Sequence, residues 1–210
     1  TAYQNAAYAE SYKSFVDKVH AAEKALAGSG PLATLPLTEA VARYLFKLMA
    51  YKDEYEVARL HTDRAFADKI SAMFEGDFKL RHHLAPPLLA EVNGRGEVQK
   101  SSYGPWMRSA FKVLAPLKVL RGTALDPFGR TEERRQERAL IAQYRADLEA
   151  LLPGLSLANR DAMAAFARVP EQIRGFGHVK ARHLLAARTQ WALLKSRCIT
   201  PEPDTLERAA

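Results

Sequence analysis

Two glycines flanked by basic side chains are the first feature of this sequence that could take part in chemistry. Residues 174–180 read RGFGHVK, with Arg174, His178 and Lys180 around the glycines. Backbone N–H groups at a helix start attract an anion when cationic side chains lie beside them. Lys180, however, stands where a dinucleotide-binding motif has its third glycine, and no strand is predicted before it. We therefore favour an ordinary helix start with glycines for close packing, and keep an anion site as the alternative.

A second group of basic residues lies between Leu120 and Arg138, in LRGTALDPFGRTEERRQER. On one helix, Arg130, Arg134 and Arg138 would share a face that could bind phosphate or carboxylate. Glutamates partly neutralise this face, and the aromatic residues follow core stripes, unlike those of nucleic-acid-binding proteins. An acidic protein surface is therefore the favoured ligand, and a helical nucleic-acid-binding module is a less favoured alternative. The candidates for anion or partner contact are Arg121, Arg130, Arg134, Arg174, His178 and Lys180.

The stretch from Leu120 to Arg138 also has a structural interpretation, which we prefer to an active site. Gly122 and the pair Asp126-Pro127 are turn signals. Thr131 is a predicted helix N-cap, followed by glutamates that suit the first helical turn. The stretch is then a corner of the chain, and its alternating charges are expected to face solvent or a neighbouring domain.

Pairs of reactive side chains do not form a recognisable catalytic pattern. Ser109 and Lys112 fit the Ser-x-x-Lys pattern of some acyltransferases, but the companion motifs are absent. Asp53 and Glu56 lie within one helical turn, as two acid–base residues would, although a solvated face with local ion pairs is the favoured interpretation. No catalytic residue is therefore predicted.

Histidine and cysteine do not predict a metal site either. His82 and His83 are expected on opposite sides of a strand, and His178 and His183 on different faces of a helix. The one cysteine, Cys198, cannot form an internal disulfide or hold an iron–sulfur cluster by itself. We expect no metal and no cofactor in this chain, and a reducing, cytoplasmic compartment.

Composition is that of a globular protein with an excess of positive charge. The chain has 210 residues, 48% of them hydrophobic, and a formal net charge of +7. This is enough for a sizeable core, and the charge allows attraction to anionic partners. No uncharged apolar run is long enough to cross a bilayer, so no membrane association is expected. Because the sequence starts with Thr1 instead of Met, we expect a domain of a longer protein.

Apolar residues at three- and four-residue steps predict a mainly α-helical protein. Thr38 is a predicted N-cap of the second helix. Two more helices are predicted, near residues 64–74 and after Gly104-Pro105. The residues expected to be buried are Phe66, Ile70, Met73 and Phe74 in the first helix, and Trp106, Met107, Ala110, Phe111 and Leu114 in the second. Further helices are predicted at about 3–27, after Thr131, and at about 159–168 and 177–197.

Residues 78–84 alternate between apolar and basic or histidine side chains, which is the two-residue period of a strand. Asn93-Gly94 then supplies a turn signal. We therefore predict a small β-hairpin or extended excursion around residues 78–103, within a single multi-helix domain over residues 1–200. Residues 201–210 are predicted to be a mobile tail.

Several long phrases resemble one known family, in the same order along the chain. They are VARYLFKLMAYKDEYEVARLHTD, FEGDFKLRHHLAPPLLA, YGPWM, LKVLRGTALDPFGRTEERRQERALI and IRGFGHVK. Together they are similar to the C-terminal region of bacterial indolepyruvate ferredoxin oxidoreductases, of the 2-oxoacid ferredoxin oxidoreductase family. The similarity covers most of residues 38–180, and YQNAAYAESY near the start is more weakly similar.

The resemblance implies a non-catalytic C-terminal accessory domain of an oxidoreductase. The full-length enzyme oxidatively decarboxylates arylpyruvates to acyl-CoA and reduces ferredoxin, with thiamine diphosphate, magnesium and iron–sulfur clusters in upstream domains. This chain agrees with that division, since Gly76-Asp77 is followed by Phe78 instead of the glycine of a thiamine motif. Expected partners are the other domains of the same enzyme, ferredoxin or CoA, and other copies in a homo-oligomer. No catalytic residue is implied at any position here.

Overall fold

The computed structural model describes residues 1–26, 34–84, 99, 101–175 and 177–200, with the side chains at 177 and 178 outside the description. Their contacts divide the chain into two compact units. Unit 1 contains Thr1–Asn5 and Tyr51–Arg134, and unit 2 contains Ala6–Ala50 and Arg135–Ala210. The predicted tail at 201–210 and the predicted turn at Asn93-Gly94 lie outside the described residues.

The described residues are mainly α-helical, with two short strands. In chain order the elements are α1 (Ala6–Ala25), α2 (Pro36–Met49), α3 (Glu54–Thr62), α4 (Arg64–Met73), β1 (His82–Leu84), β2 (Ser101–Tyr103), α5 (Met107–Leu114), α6 (Glu132–Leu151), α7 (Arg160–Arg168) and α8 (Gly177–Ile199). Short 3₁₀ helices span Ala115–Leu120, Leu152–Gly154 and Val169–Gln172. The predicted mainly α class with a small β element is confirmed. None of the described helices is long and apolar enough to cross a membrane.

Unit 2 has its core where α1, α2, α6, α7 and α8 each contribute one apolar stripe. Phe15 and Val19, four residues apart on α1, are buried together as the three-four spacing predicts. The core is completed by Val41, Tyr44, Leu45 and Leu48 of α2, Tyr144 and Leu148 of α6, Met163 and Phe166 of α7, and Ala187 and Trp191 of α8.

The start of α2 is capped from another helix. The Glu23 side chain of α1 is fully buried, and its carboxylate accepts hydrogen bonds from the backbone N–H groups of Leu37 (3.0 Å) and Thr38 (2.7 Å). The Thr38 hydroxyl donates to the same carboxylate at 2.6 Å. The prediction that Thr38 is the N-cap is therefore wrong, because α2 begins at Pro36 and a distant glutamate accepts from its first N–H groups.

Unit 1 is built around α3, α5 and the strand pair. Ala58, Met107 and Phe111 form its buried apolar cluster. β1 and β2 pair antiparallel, with His82 opposite Tyr103 and His83 opposite Ser102. His82 is buried and His83 exposed, as the predicted alternation requires. The predicted strand over residues 78–84 is too long, however, because β1 begins only at His82 and Phe78 is exposed.

α4 differs from its predicted packing. Its apolar side was predicted to be buried, but none of its residues is, and Met73 and Phe74 are 64% and 54% exposed. Asp63 ends α3 and also caps α4, since its carboxylate accepts a hydrogen bond from the N–H of Ala65. Because Asp63 caps the first turn of α4, the start of this helix does not require its apolar side to be buried.

Candidate functional site

Arg121, the first of the basic candidates, lies inside unit 1 in a two-point ion pair with Asp53. Its Nε and Nη2 atoms donate to the two Asp53 oxygens at 2.5 and 2.8 Å, and both side chains are 3% exposed. Nη1 donates to the carbonyl of Tyr3 at 2.7 Å, and the guanidinium lies 3.9 Å from the centre of the Tyr3 ring. All three nitrogen atoms of the guanidinium therefore donate hydrogen bonds to other residues of unit 1.

Asp53 has a second structural task at the start of α3. Its Oδ1 accepts a hydrogen bond from the backbone N–H of Glu56 at 2.8 Å, which makes it the N-cap. Glu56 is also buried, and it forms the local pair with Arg59 that the sequence predicted, at 2.7 and 2.8 Å. The prediction of ion pairs is thus correct, but that of a solvated face is wrong for Asp53 and Glu56.

The turn after Arg121 holds a carboxylate of its own. Asp126 is buried, and it accepts hydrogen bonds from the N–H groups of Gly122 (2.8 Å) and Phe128 (3.1 Å) and from the Tyr55 hydroxyl (3.1 Å). Burial raises the pKa of Asp126, but hydrogen bonds from Gly122, Gly129 and Tyr55 outweigh it, and the pKa is lowered. The amides that would hold an external anion therefore hold Asp126.

Two glycines make this turn possible. Gly122 has a φ of +75°, in the left-handed region that favours glycine. A Cβ atom at Gly129 would overlap the Asp126 carboxylate. Thr131 then accepts from the backbone N–H of Arg134 at 3.4 Å, at the start of α6, so the predicted cap is confirmed. This stretch is a corner of the fold, as the structural interpretation proposed.

The other two arginines of this stretch have different surroundings. Arg134 is buried, with its guanidinium 3.6 Å from Glu54 and 5.6 Å from the centre of the Tyr51 ring. The prediction that the charges of this stretch face solvent or a neighbouring domain is therefore wrong for Arg134. Burial raises the pKa of Glu54, and the charge of Arg134 opposes this rise. Arg130 is exposed, lies before the first residue of α6 and donates to the carbonyl of Ala124 at 2.7 Å, so it does not share a helix face with Arg134.

The remaining candidates belong to unit 2, near the start of α8. Arg174 is exposed and contacts Glu171, while Lys180 forms an ion pair with the buried Glu137. Lys47 donates to the carbonyl of Glu171 at 3.0 Å. Burial lowers the pKa of Lys47, and the charges of Arg174 and Lys180 lower it further, so both cations lie within electrostatic range of Lys47. The side chain of His178 lies outside the described residues.

The backbone conformation and surroundings of Gly175 explain why a glycine occupies this position. Its φ is +88°, and a Cβ atom there would lie 2.8 Å from the Cγ1 atom of Val179. A helix start with a glycine required for close packing fits this geometry, as the favoured interpretation of RGFGHVK predicted. The basic candidates thus fall into two groups, one in each unit.

A histidine pair in unit 1 was not predicted from the sequence. The His61 ring stacks on Phe111 at 5.2 Å, and the His82 ring lies 5.0 Å from His61. Burial lowers the pKa of both histidines. The described part of the chain contains no group of three or more His, Cys, Asp or Glu side chains that could hold a metal. Cys198 is buried, which raises its pKa to about 11.

α5 presents apolar residues to solvent. Met107 and Phe111 are buried as predicted, but Trp106 and Ala110 are exposed, so the prediction of an inward Trp106 is wrong. Apolar residues lie on both sides of this short helix. The buried side is the one that meets α3.

A family model described as a family of unknown function, DUF6537, matches residues 1–193. The chain belongs to this family. No curated protein and no solved structure matches it. The DUF6537 match includes every buried charged residue described above, from Glu23 to Glu137, and it brings no reaction or ligand with it.

Sequence reasoning missed the carboxylates that organise this DUF6537 chain. Asp53 lies 68 residues from Arg121, and Tyr55 lies 71 residues from Asp126, so no local pattern connects them. One signal was available for Asp53: an aspartate three residues before a glutamate at a helix start is typical of an N-cap. For Glu23 and His61 we find no such signal.

Proposed function

We propose that the chain is the C-terminal accessory domain of a cytoplasmic indolepyruvate ferredoxin oxidoreductase, and that it has no catalytic residue of its own. The support is the set of long phrases, in the right order, that resemble this family over most of residues 38–180. The domain would contribute to assembly, to subunit contact in a homo-oligomer or to covering the catalytic domains. The full-length enzyme would convert arylpyruvates to acyl-CoA and reduce ferredoxin.

One structural observation carries the non-catalytic part of the proposal. The reactive side chains of the two longest resembling phrases bind each other: Asp53 and Tyr55 of the first phrase contact Arg121 and Asp126 of the second. Inside unit 1 these groups accept hydrogen bonds from the start of α3 and from the turn after Arg121, and they also bond to each other. They hold the fold together, which is what an accessory domain requires of them.

The cofactors are proposed to bind elsewhere in the enzyme. An iron–sulfur cluster needs several cysteine thiolates, whereas this chain has one buried thiol, Cys198. Gly76-Asp77-Phe78 does not fit a thiamine diphosphate motif. Thiamine diphosphate, magnesium and the clusters are therefore assigned to other domains of the same polypeptide.

The test compares the chain with the complete polypeptide that its gene encodes. We expect the upstream coding sequence to contain a Gly-Asp-Gly motif and clustered cysteines. The complete enzyme should reduce ferredoxin when indolepyruvate, CoA, thiamine diphosphate and Mg²⁺ are supplied, and residues 1–210 alone should not. Turnover by the isolated chain, or a gene without an oxidoreductase upstream, would contradict the proposal.

A second candidate function is favoured by the three cations of unit 2. Arg174 and Lys180 lie within electrostatic range of Lys47 near the start of α8, and each also pairs with a glutamate, Glu171 and Glu137 respectively. Such a group of cations attracts an anion such as the phosphates of CoA, or an acidic ferredoxin. Isothermal titration with CoA should then give saturable binding that is lost in Arg174→Ala. The matched control is Arg188→Ala, an exposed arginine further along the chain, within α8. No binding by the unmodified chain removes this candidate.

A further inference from the structure

We infer that the outer side of α5 is a docking surface for an acidic protein partner. We call it the α5 surface and define it by Trp106, Arg108, Lys112 and Val113. The inference goes beyond the proposed function and does not depend on it, because it concerns the chemistry of one surface of unit 1.

One flank of the α5 surface is apolar. Trp106 and Val113 are 60% and 70% exposed, and seven residues separate them, which places them on one side of the helix. Met107 and Phe111 are buried in the apolar cluster of unit 1, to which Trp106 and Val113 do not belong, although the Trp106 ring contacts the ring of Tyr103 edge to face. Leu117, Val119 and Leu125, which follow α5 in the chain, are also exposed. Neighbouring exposed apolar side chains of this size are typical of a contact surface.

The other flank of the α5 surface carries positive charge. Arg108 and Lys112 are exposed, four residues apart, and neither forms an ion pair or hydrogen bond with any described residue. Within four residues on either side of them, over residues 104–116, the sequence contains no Asp or Glu. Elsewhere in the chain, exposed cations such as Lys13 and Arg43 have an acidic partner four residues away. The cations of α5 lack this local compensation.

These two properties together specify the partner. Tryptophan and arginine are among the residue types in which binding energy concentrates at protein interfaces, and the α5 surface carries one of each. The uncompensated cations require carboxylates opposite them, because like charges across an interface are repelled. The partner therefore presents apolar side chains flanked by Asp or Glu.

Other occupants fit the α5 surface less well. A second copy paired about a two-fold axis would place Arg108 and Lys112 against a surface with the same positive charge. Single-stranded nucleic acid stacks its bases on aromatic rings, whereas four of the five exposed apolar residues from Trp106 to Leu125 are aliphatic. Both occupants, and an anionic membrane, become outcomes of the test.

The test uses residues 1–210 and two labelled helical peptides of about 18 residues, with the same apolar stripe but with glutamate flanks in one and lysine flanks in the other. Fluorescence anisotropy should show that the glutamate peptide binds at least about tenfold more tightly, and that this preference falls as salt rises from about 50 to about 300 mM. Arg108→Glu with Lys112→Glu should reverse the preference. Val113→Asp should abolish binding, while Arg188→Glu on α8 should not change it.

Three results would overturn the inference. In the first, both peptides bind equally, or the charge-reversed variant keeps its preference for glutamate. In the second, phosphatidylserine vesicles or single-stranded DNA bind through Trp106 while the glutamate peptide does not. In the third, sedimentation equilibrium detects a dimer that Val113→Asp dissociates. Circular dichroism of each variant separates loss of binding from loss of fold, and Lys112→Glu alone provides a milder change if the double variant unfolds.

Discussion

Replacing Arg121 by methionine tests whether this arginine is structural or free for an anion. Methionine keeps much of the side-chain length and removes the charge, so the two-point pair with Asp53 and the hydrogen bond to Tyr3 are lost together. The Asp53 carboxylate, 3% exposed, then keeps a hydrogen bond from the N–H of Glu56 but no cation. Breaking a buried ion pair by removing one partner costs about 3–5 kcal/mol, and we expect the free energy of unfolding of unit 1 to fall by that amount.

The matching change, Asp53→Asn, isolates the charge. An asparagine Oδ1 atom can still accept from the N–H of Glu56, so the cap of α3 is kept while the ion pair is lost. This variant leaves a buried guanidinium without a carboxylate and should also be strongly destabilised. In the double variant neither charge is left unpaired. The loss of stability should therefore be smaller than the sum of the two single losses, by about 2–3 kcal/mol.

Hydrogen exchange read peptide by peptide is the appropriate measurement, because the chain has two compact units and one unfolding curve can mix them. Arg121→Met should lower the protection of α3 in unit 1. Single changes that cost less than about 1 kcal/mol, or costs that simply add in the double variant, would refute a structural role. Arg121 would then be available for an anion.

Three further changes test other parts of the fold. Glu23→Ala removes the carboxylate that caps α2. The free energy of unfolding should fall by about 2–4 kcal/mol, because two backbone N–H groups lose a charged acceptor. Urea unfolding, followed through the buried tryptophan of α8, measures this loss, and a change below about 1 kcal/mol would rule out the cap. Gly129→Ala places a methyl group against the Asp126 carboxylate and should lower the free energy of unfolding by about 1–3 kcal/mol. Gly154→Ala is the matched control, because nothing lies within 4 Å of its added Cβ atom. Equal melting temperatures for the two variants would contradict this prediction. Burial lowers the pKa of His61 and His82 below their unfolded value of about 6.5. The unfolded chain therefore binds protons at these histidines at a higher pH than the folded chain does. Their contribution to stability is complete above about pH 6.5 and is lost as the pH falls from that value toward the folded pKa. The urea midpoint of unit 1 should thus fall on acidification, and replacing both histidines by phenylalanine should reduce this dependence; an unchanged pH slope in that variant would exclude the pair as its cause.

Local patterns predicted what local interactions decide. The Thr131 cap was predictable because its acceptor oxygen lies three residues from the N–H it caps. The opposite exposure of His82 and His83 follows from the strand period alone. The helical class follows in the same way from three- and four-residue spacing. Each of these needs only a few neighbouring residues, which is what a sequence pattern contains.

Tertiary contacts decided what the sequence could not. The three-four spacing of α5 admits two buried sides, and only the position of α3 selects Met107 and Phe111 over Trp106. In the same way, Glu23 reads as a charged residue of an amphipathic helix until Leu37 and Thr38 are seen to donate to it. A buried charge is identified by its partner, and the partner can be far along the chain.

Burial also redistributes the charge of the chain. Five carboxylates are buried among the described residues but only two guanidinium groups: Glu23, Asp53, Glu56, Asp126 and Glu137, against Arg121 and Arg134. The buried carboxylates cap helices, fill a turn and pair with cations, so the fold removes more negative than positive charge from the surface. The rest of the chain is therefore more basic than the formal +7 indicates. The glycine turn at Gly122 holds an anion of its own, Asp126. The uncompensated positive charge lies instead on helix surfaces such as the α5 surface, and an acidic partner is best sought there.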